Sequence, residues 1–101
     1  MKKTKEMLGK YVIVRGNRSG VFAGVLKEKS GSEILLENCR KLWYWDGACA
    51  VEQLAVDGTP SPQRCQFTVT VENMEITDAL QIIPCTEKAE VSIKGVAQWA
   101  R

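Results

Sequence analysis

Short runs of β-branched and aromatic residues, separated by glycine-containing turns, constrain the fold of this chain more than any other feature. The first run covers residues 10–15, and a turn at residues 16–20 separates it from a second run at residues 21–27. Runs of this composition favour β-strands, and the residues between them favour a tight turn. Gly24 lies inside the second run, which indicates a bend or bulge of the kind found in small barrels.

The rest of the chain continues the pattern, with two helical interruptions. Further strands are predicted at residues 33–38, 42–45, 66–71 and 76–83. A short helix is predicted at residues 48–55 with Asp46 as its N-cap, and Thr86 is expected to cap a second helix that runs through Lys94. Six or so short strands and two short helices predict one α+β, mainly β domain over residues 1–101, a small barrel.

The composition excludes several classes of protein. No apolar run approaches the roughly 18 residues of a membrane span, and no signal sequence precedes the first strand, so a cytoplasmic location is expected. The four cysteines, at positions 39, 49, 65 and 85, form no CxxC pair, and the chain has no histidine. Free thiols are therefore expected, and neither a metal nor a cofactor is predicted.

Residues 40–47 contain two of the three tryptophans and one of the two tyrosines. In an extended chain, alternate side chains point to opposite faces. One face then holds Lys41, Trp43 and Trp45, and the other holds Arg40, Leu42 and Tyr44. A core needs only one of these faces. The other would present aromatic rings beside a positive charge, which suits the stacking of planar anionic ligands.

A candidate ligand site follows from this run and from the cations around it. Tryptophans can stack a base, and arginine matches phosphate oxygens bidentately. The candidate residues are Trp43, Trp45, Arg40, Lys41, Arg15, Arg18, Arg64 and Asp46. The alternative for each tryptophan is a place in the core or at a subunit interface, and the alternative for Asp46 is a turn and helix cap.

Catalytic signatures are missing from the sequence. Without histidine, the usual proton shuttle near neutral pH is absent. No phosphate-binding loop, nucleophile elbow or GxGxxG motif is present. The sequence therefore predicts a binding protein and not an enzyme.

The charge is unevenly distributed along the chain. Residues 1–18 hold six cations and one carboxylate, a net charge of +5, whereas residues 42–101 hold four cations and eight carboxylates, a net charge of −4. The basic end favours an anionic partner, with nucleic acid as one candidate. The alternative is a solvated tail with scattered surface cations.

The first 45 residues resemble the opening of Sm-like and SH3-like small barrels. Residues 8–14, 20–26 and 34–38 are similar to the first, the bent second and the third strand of those barrels. The resemblance implies a small SH3/Sm-like barrel fold. Sm-like proteins stack bases with an aspartate-containing loop between their second and third strands, and the corresponding loop here, residues 29–32, reads Lys-Ser-Gly-Ser.

The whole chain also resembles a family of small uncharacterised bacteriophage and prophage proteins. The similar segments are residues 43–48 (WYWDGA), 53–55, 58–59 and 84–89 (PCTEKA). The resemblance implies a small accessory protein of a phage, and such proteins often counter host defence. The combined prediction is a homo-oligomeric accessory protein in the host cytoplasm that sequesters a small nucleotide-like anion, such as an immune second messenger. The alternatives are a protein-binding inhibitor of a host factor, a nucleic-acid-binding small barrel and a structural virion component.

Overall fold

The computed structural model describes residues 7–99, which form a mainly β fold with two short helices, as predicted. The lysines at positions 2, 3 and 5, which supply half of the cations in the basic end, lie outside these residues. The elements in chain order are β1 (Tyr11–Gly16), β2 (Val21–Ser30), β3 (Glu33–Tyr44), α1 (Val51–Asp57), a 3-10 turn (Pro62–Arg64), β4 (Gln66–Phe67), β5 (Val71–Ile76), β6 (Ala79–Pro84) and α2 (Glu87–Gly95). No helix in the described range is long and apolar enough to cross a membrane.

The strands form one antiparallel sheet in the order β4-β3-β2-β1-β6, and β5 pairs with β3 beside β4. At 12 residues, β3 is long enough to pair with β2 along one edge and with both β5 and β4 along the other. The pairing of β2 with β3 contains two register shifts. Such shifts bend and twist a sheet, which is how a small sheet curves around a core.

The predicted strands at residues 33–38 and 42–45 are one continuous strand, and this correction has a local cause. Val25 pairs with Glu37 and Ala23 pairs with Arg40, so Gly24 faces two residues of β3. Asn38, one of those two, has a positive φ of 51°. A Cβ atom at Gly24 would lie 3.0 Å from the Cα atom of Cys39. The glycine therefore allows a bulge that bends β3 without ending it, as its position in the sequence predicted.

The predicted strand at residues 66–71 is wrong in its extent, because the chain changes partner within it. Phe67 pairs with Leu42 near the end of β3, whereas Val71 pairs with Cys39 before it. Between them, the Thr68 hydroxyl accepts a hydrogen bond from the Lys41 amide at 2.8 Å. The segment therefore divides into β4 and β5, and the predicted strand at residues 76–83 begins at position 79 instead.

Of the two predicted helix caps, the structure contains one. The Thr86 hydroxyl accepts a hydrogen bond from the Ala89 amide at 3.0 Å and caps α2 as expected. The prediction that Asp46 caps the first helix is wrong, since α1 begins at Val51 after Ala50, which makes no side-chain cap. The Asp46 carboxylate instead accepts a hydrogen bond from its neighbour, the Gly47 amide, at 3.0 Å.

The core lies on both faces of β1, whose residues 11–14 are all buried. Tyr11 and Ile13 pack in a cluster with α1, α2 and Phe67, while Val12 and Val14 pack in a second cluster inside the curved sheet. The two helices thus cover one face of the sheet. The end of β3 and the β1–β2 turn extend beyond this covered region and carry exposed side chains, with Trp43 58% exposed.

Candidate functional site

A surface groove of about 380 Å³ lies where the β1–β2 turn meets the end of β3. It is called here the Trp43 groove, and its lining residues are Arg18, Ser19, Gly20, Val21, Lys41, Leu42, Trp43 and Trp45. Four of the eight candidate ligand residues, namely Arg18, Lys41, Trp43 and Trp45, therefore lie together. The groove combines two indole rings with two cations.

The alternation predicted along β3 holds from Arg40 to Trp43. It is wrong for Tyr44, which was expected on the face of Arg40 and Leu42 but is 52% exposed, after a register shift between Leu42 and Tyr44. Arg40 and Leu42 are 5% and 2% exposed, whereas Trp43 between Leu42 and Tyr44 is 58% exposed. The Lys41 ammonium lies 5.1 Å from the centroid of the Trp43 ring, within the range of a cation–π contact. Trp45 is half-buried and packs against the core, so it forms a fixed wall of the groove.

The turn that carries Arg18 is held in place by a residue that is distant in sequence but adjacent in the fold. The Asp78 carboxylate, between β5 and β6, accepts hydrogen bonds from the Arg18 amide at 2.8 Å, the Ser19 amide at 3.1 Å and the Ser19 hydroxyl at 2.6 Å. These hydrogen bonds, that of the Ser19 hydroxyl above all, lower the pKa of Asp78. Asp78 therefore positions one side of the groove.

Gly20 lets the Lys41 side chain cross this turn. Its φ is +115°, and a Cβ atom there would lie 2.8 Å from the Cε atom of Lys41. Sequence reasoning identified the turn but missed Asp78 and Gly20 as parts of the site. No local signal marks Asp78, because its partners lie 59 and 60 residues away in the chain.

Arg40 is placed in the core and not in the groove. Its guanidinium donates hydrogen bonds to the backbone carbonyls of Thr68 at 3.0 Å, Ile93 at 3.1 Å, Val96 at 2.9 Å and Phe67 at 3.4 Å. Burial lowers the pKa of this guanidinium. The contacts join the end of α2 to the β3–β4 region, and they give Arg40 a structural role.

The other three candidate residues lie around the groove without lining it. Arg15 is exposed and pairs across β1 and β2 with Val21, a groove residue, so it lies at the rim. Arg64 and Asp46 form an exposed ion pair at 3.5 Å on the loops that follow Trp45. Because the Asp46 carboxylate already has this partner, the pair adds little net charge to the groove.

A larger cleft of about 550 Å³ lies beside α1 and α2 and contains none of the candidate ligand residues. Its single cation, Lys88, pairs with Asp57 at 3.6 Å, and Gln53 also donates to the Asp57 carboxylate. An anion would find no free positive charge among these groups. Across residues 7–99, no group of three or more His, Cys, Asp or Glu side chains is placed to hold a metal ion.

Comparisons with known proteins agree with this architecture. A family model described as a domain of unknown function (DUF6948) matches residues 9–93. The solved structures with a similar fold include a heptameric archaeal Sm protein, with 18% identity and a TM-score of 0.55 over 85% of this chain and 100% of that one. They also include the P. aerophilum SmAP1 heptamer, with 18% identity and a TM-score of 0.55 over 84% and 90%. No curated protein matches the sequence. The likeness to these structures confirms the Sm-like small-barrel fold.

Proposed function

The chain belongs to the DUF6948 family of domains of unknown function, and we propose that it binds a nucleotide-like anionic ligand in the Trp43 groove without transforming it. The observation that carries this proposal is the Lys41 ammonium, 5.1 Å from the ring centroid of the exposed Trp43, with Arg18 in the same groove. A planar base suits the indole face, and a phosphate suits the two cations.

The expected interaction energies and the volume of the groove favour a ligand of about one nucleotide unit. A base stacked on a tryptophan contributes about 1–3 kcal/mol, and each charge-assisted hydrogen bond to phosphate contributes about 1.5–3 kcal/mol. The groove volume of about 380 Å³ lies near the low end of the range of roughly 300–1,000 Å³ for small-molecule sites. A mononucleotide or one unit of a cyclic oligonucleotide therefore fits better than a long strand.

An Sm-type RNA site is the less favoured alternative. The region around the β2–β3 turn, where Sm-like proteins carry their base-stacking loop, holds a small cavity lined by three carboxylates, those of Glu28, Glu33 and Glu75, and by one cation, Lys29. Carboxylates repel the phosphates of a nucleic acid backbone. The Trp43 groove supplies the opposite charge, and it lies at the opposite end of the β2–β3 pair from that turn.

We also propose that the protein acts as a homo-oligomer joined through its sheet edges. Within residues 7–99, β6 pairs only with β1 and β5 pairs only with β3, so each has one unpaired edge. β6 contains no charged residue, and its Leu80 is 63% exposed, which leaves this edge unprotected against pairing. Joining β5 of one copy to β6 of the next is a head-to-tail contact, which closes into a ring when the rotation permits. The two Sm structures named above are heptamers.

The biological role that we propose is counter-defence in the cytoplasm of a bacterial host, as the resemblance to phage proteins implies. Sequestration of an immune second messenger requires tight binding and no chemistry. A chain without histidine, whose groove combines aromatic and cationic side chains, suits that task. The alternative of a host-protein inhibitor would use the exposed Trp43 as an interface anchor.

The test is a calorimetric titration with linear and cyclic nucleotides, with the nucleotide recovered afterwards and checked for turnover. We expect Trp43→Ala to weaken binding by about 5- to 150-fold, the equivalent of a lost stacking energy of about 1–3 kcal/mol. The matched control is Trp99→Ala, since Trp99 is 39% exposed but does not line the groove. Lys41→Gln should also weaken binding, whereas the exposed Lys27→Gln should not.

Three outcomes would contradict the proposal. If no nucleotide binds, the proposed ligand class is wrong. If the nucleotide is turned over, the protein is an enzyme and not a binding protein. A preference for oligonucleotides, with affinity falling steeply as salt rises, would favour the nucleic-acid alternative. Capture of one stoichiometric host protein, together with no nucleotide binding, would favour the inhibitor.

A further inference from the structure

A second polar pocket, of about 270 Å³, lies between β3 and the end of α2 and shares no residue with the Trp43 groove. Its lining residues are Tyr11, Val25, Asn38, Arg40, Thr70 and Lys94, and it is called here the Tyr11 pocket. We propose that the Tyr11 pocket is a separate binding site for a small oxyanion of the phosphate class.

The positive charge of Arg40 supports an anion site in this pocket. Of the five N–H donors of a guanidinium, four are used on carbonyls, which leaves one donor on Nη2. Within residues 7–99, no carboxylate lies within 4.0 Å of this side chain, which is 5% exposed. The carbonyls at the end of α2 offset the charge only in part, because a helix end carries about half an elementary charge. A buried guanidinium whose charge is only partly offset is stabilised by an anion beside it.

The Tyr11 hydroxyl is a hydrogen-bond donor for such an anion. Tyr11 is 4% exposed, yet its hydroxyl makes no hydrogen bond to any other described residue. Since no fully buried side-chain oxygen or nitrogen in the described range lacks a partner, this hydroxyl keeps some exposed surface, and Tyr11 lines the pocket. Burial raises the pKa of Tyr11 well above its ordinary value, so the hydroxyl stays protonated and donates.

The β-bulge opposite Gly24 brings Asn38 to the pocket wall. Asn38 has a φ of 51°, a left-handed conformation that asparagine tolerates better than most residues. Bulges of this kind redirect side chains and occur often beside functional sites. The Asn38 amide and the Thr70 hydroxyl make no side-chain hydrogen bond within the described part of the chain, so both are available to a ligand.

Lys94 adds a second positive charge to the pocket, and the Glu90 carboxylate partly neutralises it. The Lys94 ammonium lies 5.1 Å from the centroid of the Tyr11 ring. It is also paired with the Glu90 carboxylate at 2.5 Å. Glu90 therefore competes with an incoming anion for the same ammonium. Removing its charge should therefore strengthen anion binding.

The test is a calorimetric titration of the full chain with inorganic phosphate. We expect saturable binding with a Kd on the order of 1 mM. Tyr11→Phe removes the hydroxyl and Lys94→Gln removes the ammonium, and each should weaken binding about tenfold, the equivalent of one hydrogen bond to a charged group. Glu90→Gln should tighten binding. Lys88→Gln, on an exposed part of the same helix, is the matched control and should leave the affinity unchanged.

The result also separates this site from the Trp43 groove. Trp43→Ala should leave phosphate affinity unchanged, and Tyr11→Phe should leave nucleotide affinity unchanged if the nucleotide occupies the groove alone. A nucleotide that competes with phosphate, and that also loses affinity in Lys94→Gln, would overturn the proposal that the two sites are separate. Non-saturable binding, or equal losses for Lys88→Gln and Lys94→Gln, would overturn the proposal.

Discussion

Replacing Arg40 by methionine tests whether this candidate ligand residue is part of the core. Methionine keeps an unbranched stem for packing near Phe67 but removes the donors to all four carbonyls. The Phe67 and Ile93 carbonyls keep backbone donors, the Trp99 amide at 2.8 Å and the Val96 amide at 3.3 Å, whereas the Thr68 and Val96 carbonyls lose their one described donor. Two carbonyls left without a donor, at about 2 kcal/mol each, cost about 4 kcal/mol. Methionine also avoids the desolvation of a guanidinium, which offsets part of that loss. We expect the free energy of unfolding to fall by about 3 kcal/mol, a large fraction of the roughly 5–15 kcal/mol typical of a domain.

Urea unfolding followed by tryptophan fluorescence measures this loss. The matched control is Arg64→Met, because Arg64 is exposed and its single ion pair at 3.5 Å contributes at most about 1 kcal/mol. Arg40→Lys should be intermediate, since one ammonium cannot reach carbonyls in so many directions. If Arg40→Met destabilises the protein no more than Arg64→Met, the structural role of Arg40 is refuted.

Three further predictions concern the bulge, the turn and the thiols. Gly24→Ala should reduce the free energy of unfolding by about 1–3 kcal/mol in the same urea assay, because its Cβ would lie 3.0 Å from the Cα of Cys39. The pKa of Asp78 is lowered in the folded state, so its stabilising effect is present above the ordinary carboxyl pKa and is lost as pH falls through the folded value. Below about pH 4, unfolding curves should therefore show a steeper loss for the native chain than for Asp78→Asn. In a thiol-labelling assay of the folded protein, the exposed Cys49 should react first, because burial raises the pKa of Cys39 and Cys85 to about 12.

Features set by local geometry were predictable from the sequence. The alternation that separates Trp43 from Arg40 and Leu42 follows from the direction of side chains along one strand. The Thr86 cap follows from the chemistry of the first helical turn, and the bend at Gly24 follows from a glycine within an apolar run. In each case the residues that decide the outcome lie close together in the chain.

Features set by distant partners were not predictable. Arg40 is drawn into the core by carbonyls that lie 27 to 56 residues away, so nothing beside it in the sequence marks its burial. The division of the residue 66–71 segment depends on which half of β3 each part pairs with. Asp78 contributes to the groove only because the fold brings the β5–β6 turn beside the β1–β2 turn.

Ligand binding in the Trp43 groove is tested most directly by the indole N–H signals of the three tryptophans. In a two-dimensional NMR titration of the protein with a nucleotide, we expect saturable shifts of the Trp43 and Trp45 signals and no shift of the Trp99 signal. Trp99 does not line the groove, so it serves as an internal control. Shifts confined to Trp99, or no indole shift at nucleotide concentrations that saturate binding in calorimetry, would show that the ligand does not bind in the Trp43 groove.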